Sequence, residues 1–436
     1  MVDKSMGLFE LTEKREYCNQ KGGRLFFYFV LTFLTFFYIY EFNLKVWGGP
    51  TFLTSRRICS AVFFIIWVLQ NGFSKSIFVN RTTEKSIKQF TIVLLISFLY
   101  VCGILLVIGI GNGEIILIDI IELLLFGLFP ALVTPGVFRT KDVFLKVLLA
   151  TAIVQSIIII LCQFNGNFCD FIDAYFSTDY KYVASHRAEY AGGLACITAP
   201  GLLRFSTGFF ACLYLLFSTK KIRYFLLFLM LSFVGTMVAR TGLVLSLIGL
   251  VFIVLYSCFN GGSRLLVKLS VSVLMVFIMS YLALKNPIVQ AFLGERFKRL
   301  YDLFMNGLES EFLGGYFGNG SGNILPNLNL ATFFGTGMTS GIAGNGEQCL
   351  ADGGYIRLYF AFGLIGVIAF YLSTFIILLS GVKRIKQSPS LYWSVLYLII
   401  IIFVGEFKEY LLFTQYLLFI VFSVFLLEKC EKGCHK

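Results

Sequence analysis

Five arginines carry most of the chemistry this chain offers: Arg187, Arg204, Arg240, Arg296 and Arg357. A guanidinium stays charged and presents paired N–H groups that match phosphate oxygens. Several of them at one face suit a phosphate-bearing ligand, and can stabilise a pyrophosphate leaving group as its charge develops. The sequence has only two histidines, His186 and His435. That excludes a three-histidine metal centre and disfavours a His-centred triad. The 11 cysteines are scattered, mostly inside apolar runs, with no CxxC or metal-ligand spacing. No metal or cofactor is expected.

Each arginine has a distinct setting. Arg240 lies in GTMVARTGLVLSL (Gly235 to Leu247), between two apolar runs with almost no loop, at the apex of a sharp turn. The ordinary alternative is an arginine snorkelling to lipid headgroups. Arg204, in APGLLRFSTGFF (Ala199 to Phe210), falls inside the start of an apolar run, so it must face protein, water or phosphate. Arg187 lies nearby in SHRAEY (Ser185 to Tyr190). In GERFKRLYDLF (Gly294 to Phe304), helical spacing puts Leu293, Phe297, Leu300 and Phe304 on one arc and Glu295, Lys298, Arg299 and Asp302 on the other. Arg296 sits at the edge of the apolar arc and would face a bundle if this helix lay on a membrane. Asp352 and Arg357 flank the entry to the next apolar run. Asp352 could accept a proton from a sugar hydroxyl or cap the following helix. Glu406, Lys408 and Glu409 occupy the turn before the last run and could pair with each other or with the arginines. Glu41, Asp119 and Glu122 are further acids inside apolar runs, without an assignable role.

The elements that must position these residues are membrane helices. Of the 436 residues, 58% are hydrophobic and only 14% charged, with mean hydropathy +0.84, against about 25% charged in soluble chains. Apolar segments at roughly 25–42, 58–73, 90–110, 115–133, 147–163, 201–218, 224–239, 241–258, 268–285, 356–380, 391–407 and 411–427 predict an all-α polytopic membrane protein of about 12 spans. With the N-terminus cytoplasmic, 23 of the 36 Lys and Arg fall on the inner side. The net charge of +12 is then a positive-inside asymmetry and not a nucleic-acid signature. No signal-peptide cleavage site follows the first run, so that run is expected to remain as a span. Both termini are expected inside, with a large outer loop at 286–355 and a smaller one at 164–200. The large loop has a Gly/Asn-rich middle, including Asn319, Asn323, Asn327, Asn329 and Asn345, whose amides suit sugar hydroxyls. The halves show no convincing duplication, which counts mildly against a transporter.

Four stretches together resemble the O-antigen polymerases of the bacterial O-antigen polymerase/ligase superfamily. They are ARTGL (Ala239 to Leu243), ERFKRLYDLF (Glu295 to Phe304), FFGTGM (Phe333 to Met338) and DGGYIRLYFAFGLIG (Asp352 to Gly366). The last resembles that family's D-x-G-Y stretch leading into an FG-x-x-G helix start, and GEFKEYLLF (Gly405 to Phe413) is also similar. The resemblance implies a metal-independent, membrane-embedded glycosyltransferase of the GT-C-like kind, at the periplasmic face of the inner membrane. It would act on undecaprenyl-pyrophosphate-linked oligosaccharide, moving the growing chain onto a new lipid-linked unit, with a chain-length regulator as a further partner. It implies Arg240 and Arg296 as pyrophosphate contacts and Arg187 and Arg204 as a basic pair on the smaller loop. Asp352 and Arg357 would form the loop-exit site, and Glu406 and Lys408 would lie beside the substrate.

The ligase branch uses a loop histidine, which residues 286–355 lack. That favours polymerase over ligase and leaves the general base open among Asp352, Glu347 and Glu406. A lipid-linked-oligosaccharide flippase is the reading from another class. The large loop is expected to act as a lid, anchored at Arg296 and at Asp352–Arg357, with a mobile middle that closes over sugar.

Overall fold

The computed structural model describes residues 25–42, 53–71, 85–108, 114–176, 199–238, 240–261, 354–406 and 410–434, with short pieces at 334–335, 341–342 and 348–349. The ninth predicted segment, 268–285, most of the large loop, and Arg187, Arg296, Glu347, Asp352, Lys408 and Glu409 lie outside the described residues.

Helices occupy the other eleven predicted segments. In chain order they are α1 (Leu25–Ile39), α2 (Ser55–Asn71), α3 (Lys85–Ile108), α4 (Glu114–Glu122), α5 (Phe129–Phe138), α6 (Lys141–Phe164), α7 (Gly166–Phe176), α8 (Ala199–Thr219), α9 (Ile222–Val238), α10 (Arg240–Tyr256), α11 (Gly354–Arg384), α12 (Pro389–Gly405) and α13 (Gln415–Cys434). Five stretches are long and apolar enough to cross a membrane: Lys85–Val107, Ile116–Phe138, Lys141–Phe164, Gly242–Asn260 and Ala361–Arg384. Leu99, Leu106, Val107, Val251, Ile368 and Leu372 are exposed along them, an apolar surface that a lipid bilayer, not water, accommodates. The chain is an all-α membrane protein. Among the described residues the remaining regular element is a small antiparallel pairing of Gly341–Ile342 with Gln348–Cys349.

The last helix, α13, is the centre of the bundle. Tyr416 to Leu427 are all buried; QYLLFIVFSVFLL is apolar around its whole circumference, so every side of it can pack against neighbouring helices. α5, α6, α8 and α12 pack around it. Thr134 and Ser423 hydroxyls bond across the α5 contact at 2.9 Å. Where α6 meets α8, Gly208 lies so close to Ala152 that an added Cβ would sit 2.2 Å from the alanine Cβ, the small-residue contact that lets membrane helices approach.

Two ends of the bundle are polar. At one, Lys141 bridges Glu428 (2.5 Å) and Glu431 (2.8 Å), Ser388 donates to Glu428, and Tyr214 donates to Asp142. These bonds tie the exit of α13 to the α5–α6 and α11–α12 turns. The other end gathers the arginines.

Candidate functional site

The arginine end is built on an irregularity between α4 and α5. Leu123–Leu128 forms a π-helical turn, with the Phe129 N–H donating to Leu124. Pro130 has no N–H, so the Phe126 carbonyl loses its ordinary i+4 donor. The Tyr38 hydroxyl supplies that bond instead. The same turn lets Gly127 lie against the Gln415 backbone; an added Cβ would be 3.2 Å from the Gln415 carbonyl. A proline in α5 thereby seats the start of α13 between α1 and α4.

Around that start lies a buried ionic network. Arg56 is 5% exposed. Its Nη1 pairs with Glu41 at 2.8 Å and donates to the Gln415 side-chain carbonyl, and its Nε donates to the Tyr38 carbonyl at 3.0 Å. Arg57 pairs with Glu122, which also accepts from Gln415 Nε2 at 3.1 Å. Arg204 faces the Glu41 carboxylate and lies over the Tyr416 ring, 5.9 Å from its centre; Arg56 lies 5.7 Å from the same centre. Glu41 and Glu122, acids with no role assignable from the sequence, are therefore counter-charges for Arg56 and Arg57 at the head of α2.

A second group sits where α11 begins. Arg357 lies over the Tyr410 ring at 5.9 Å and faces Asp119, which also lies beside the Tyr410 hydroxyl. Burial, with the Asp119 and Glu406 carboxylates alongside, raises the Tyr410 phenol well above its ordinary range. Glu406 is fully buried. It accepts from the Tyr371 hydroxyl at 2.7 Å and from the Leu412 N–H, while its backbone carbonyl accepts from Gly354 N–H at 2.8 Å. Glu406 thus joins the α11 entry to the α12–α13 turn. Its donors are a tyrosine hydroxyl and a backbone N–H, which make it a positioning group.

Arg240 opens α10. α8 and α10 run parallel, since Tyr256 donates to the Phe217 carbonyl at 3.0 Å and their rings stack. Counting back along each helix at about 1.5 Å per residue puts Arg240 and Arg204 at the same end. The α9–α10 turn is tight because Gly242 and Gly235 touch: an added Cβ at Gly242 would sit 2.2 Å from the Gly235 carbonyl carbon. That contact explains the glycine of ARTGL. Gly242→Ala should force the two helices apart and lower stability by roughly 1–3 kcal/mol, read as the thermal midpoint of the purified protein. A wild-type midpoint would mean the contact is not a constraint.

Part of the large loop is held against α11. α11 is broken at Gly363, whose φ of 67° and ψ of −179° are accessible in practice only to glycine. Gly335, of FFGTGM, docks into the break with φ of 83°; an added Cβ would lie 2.5 Å from the Ala361 carbonyl oxygen and the Gly363 nitrogen. Tyr100 of α3 shares its hydroxyl proton between the carbonyls of Phe334 (2.8 Å) and Phe362 (3.2 Å). Two motifs noted separately in the sequence meet here, at Phe334–Gly335; the Gly/Asn-rich middle expected to be mobile lies outside the described residues.

The structure thus brings Arg204, Arg357 and Glu406 to one end of the bundle, with the start of the Arg240 helix. Sequence reading missed Arg56, Arg57, Tyr410, Gln415 and Tyr416. One signal was available: Glu41, Asp119 and Glu122 in apolar runs demand counter-charges, and Arg56–Arg57 at the head of the second run supplies them. In comparisons with protein-family models, curated proteins and solved structures, nothing matches this chain.

Proposed function

We propose that this protein is a twelve-span O-antigen polymerase of the bacterial inner membrane, with both termini cytoplasmic and its site periplasmic. It transfers a growing glycan from undecaprenyl pyrophosphate to the non-reducing end of a new lipid-linked repeat unit. The observation that carries the reading is the convergence of Arg204, Arg357 and the Arg240 turn at one end of an apolar bundle. It is joined there by the large loop's docking at Gly335. Arginines suit a departing diphosphate, whose charge grows as the glycosidic bond breaks. In this reading Arg240 and Arg296 contact the diphosphate, Arg187, Arg204 and Arg357 extend the basic surface, and Asp352 is the candidate base. Lys408, between Glu406 and Tyr410 in the sequence, is a further substrate-binding candidate. Burial of the Glu406 carboxylate against Tyr371 and Leu412 favours Asp352 over Glu406 as base.

Deletion of the gene in its native strain is expected to leave lipopolysaccharide capped with a single repeat unit. A normal long ladder would refute the polymerase reading. Loss of all attached antigen would point to a ligase, and units stranded in the cytoplasmic leaflet to a flippase. Complementation with Arg240→Ala or Arg296→Ala should fail to restore the ladder, with the protein present in the membrane at wild-type amounts.

A further inference from the structure

Arg56 and Arg204 share an imbalance that the rest of the network does not resolve. Arg56 Nη2 and Arg204 Nη1 are buried and have no hydrogen-bond partner among the described residues. Both guanidinium groups lie against the Tyr416 ring, at 5.7 and 5.9 Å from its centre, and the Glu41 carboxylate faces both. The neighbouring Arg57 does not share this shortfall, because its charge is met by Glu122. Among the described residues, the buried Arg56 and the partly exposed Arg204 thus share one carboxylate, which leaves a positive charge over beside them. A water molecule would satisfy the two N–H groups but not the charge, and an uncompensated buried charge is costly. An anion satisfies both. The first turn of α13, which begins at Gln415 beside them, adds N–H groups and a favourable dipole for negative charge.

We propose that Arg56 and Arg204 hold a phosphate-type oxyanion beside Tyr416, at the buried start of α13. A tetrahedral oxyanion has enough oxygens to accept from two guanidinium groups at once. Its carrier is either a lipid diphosphate or the headgroup phosphate of a bilayer lipid. The site rests on the polymerase reading only for the identity of that carrier, since binding is measured without any transfer reaction.

The test uses the full chain in maltoside micelles, where no phosphate comes from the detergent. Thermal unfolding is followed with inorganic pyrophosphate, farnesyl pyrophosphate, and phosphatidylglycerol against diacylglycerol as a phosphate-free control. The midpoint is expected to rise with a phosphate-bearing probe and not with diacylglycerol. A response to the two pyrophosphates identifies a diphosphate carrier, and a response to phosphatidylglycerol alone identifies a headgroup. Arg204→Gln should weaken the response about tenfold or more. Arg223→Gln, at the opposite end of the bundle, should leave it unchanged. Arg56→Gln is less informative because Arg56 also holds Glu41, Gln415 and Tyr38, whereas Arg204 is partly exposed and easier to remove without unfolding. No midpoint change with any probe in folded wild-type protein would overturn the site, as would an undiminished response in Arg204→Gln. Binding together with a normal ladder after gene deletion would keep the site and refute the polymerase; a single-unit phenotype without binding would do the reverse.

Discussion

Arg56→Ala is expected to lower stability by roughly 3–5 kcal/mol, the cost of removing one partner from a buried ion pair. The reason lies in how many elements this one side chain joins. Its guanidinium reaches Glu41 after α1, the Tyr38 carbonyl at the end of α1, and Gln415 at the start of α13. Deleting it removes the ion-pair partner of Glu41 and strips the Gln415 side-chain carbonyl of its donor. Arg57→Ala is the informative comparison. Its partner Glu122 keeps a bond from Gln415, and both members of that pair are about a quarter exposed, so solvent screening should hold the loss to about 1 kcal/mol. The measurement is the unfolding midpoint, or the inactivation half-life where unfolding is irreversible. The double variant Arg56→Leu with Glu41→Gln should recover part of the loss, since it removes both charges together. Equal effects from Arg56→Ala and Arg57→Ala would show that the buried pair is not what locks α13 in place.

The positions of the helices were legible from composition, because about 20 apolar residues between charged punctuation leave few alternatives. Their arrangement was not. In a bilayer the lipid-facing and protein-facing sides are equally apolar, so periodicity that sorts faces in a soluble protein carries little information here. The apolar part of Gln415–Cys434 does not distinguish the central helix from α3, which has Leu99 and Leu106 exposed, because both runs are apolar. The arginines were legible as anomalies, but their partners were not. Arg56 and Gln415 are 359 residues apart, and the second apolar segment was bounded at 58, which pushed Arg56 and Arg57 into a connection. The π turn had a local cause in Pro130, yet its consequence, a free carbonyl taken up by Tyr38, depends on α1 being alongside. Gly335 and Gly363 were each visible as motif glycines. What the sequence could not say is that each needs a left-handed or glycine-only backbone because the two sit against one another.

That mutual contact sets the second large expectation: Gly335→Val should release the large loop from the bundle. Two costs add. A β-branched residue at a φ of 83° is strained by about 1–2 kcal/mol. Its Cβ would also fall 2.5 Å from the Ala361 oxygen and the Gly363 nitrogen, atoms of the main chain that cannot rotate aside as a side chain could. Since every 1.4 kcal/mol is a factor of about ten in population, the docked state should fall by two or more orders of magnitude. Protease cleavage between residues 286 and 355 in sealed membranes of known orientation reports it directly, and should rise at least tenfold. Tyr100→Phe removes only the hydroxyl shared between Phe334 and Phe362, worth about 1 kcal/mol, and should raise cleavage by a few-fold while leaving the backbone fit intact. If docking of the lid is required for transfer, Gly335→Val should also collapse the polysaccharide ladder with the protein still inserted, and Tyr100→Phe should shorten it. Cleavage of Gly335→Val at the wild-type rate would refute the docked geometry itself. Rapid cleavage with an intact ladder would keep the geometry and remove the lid from the mechanism.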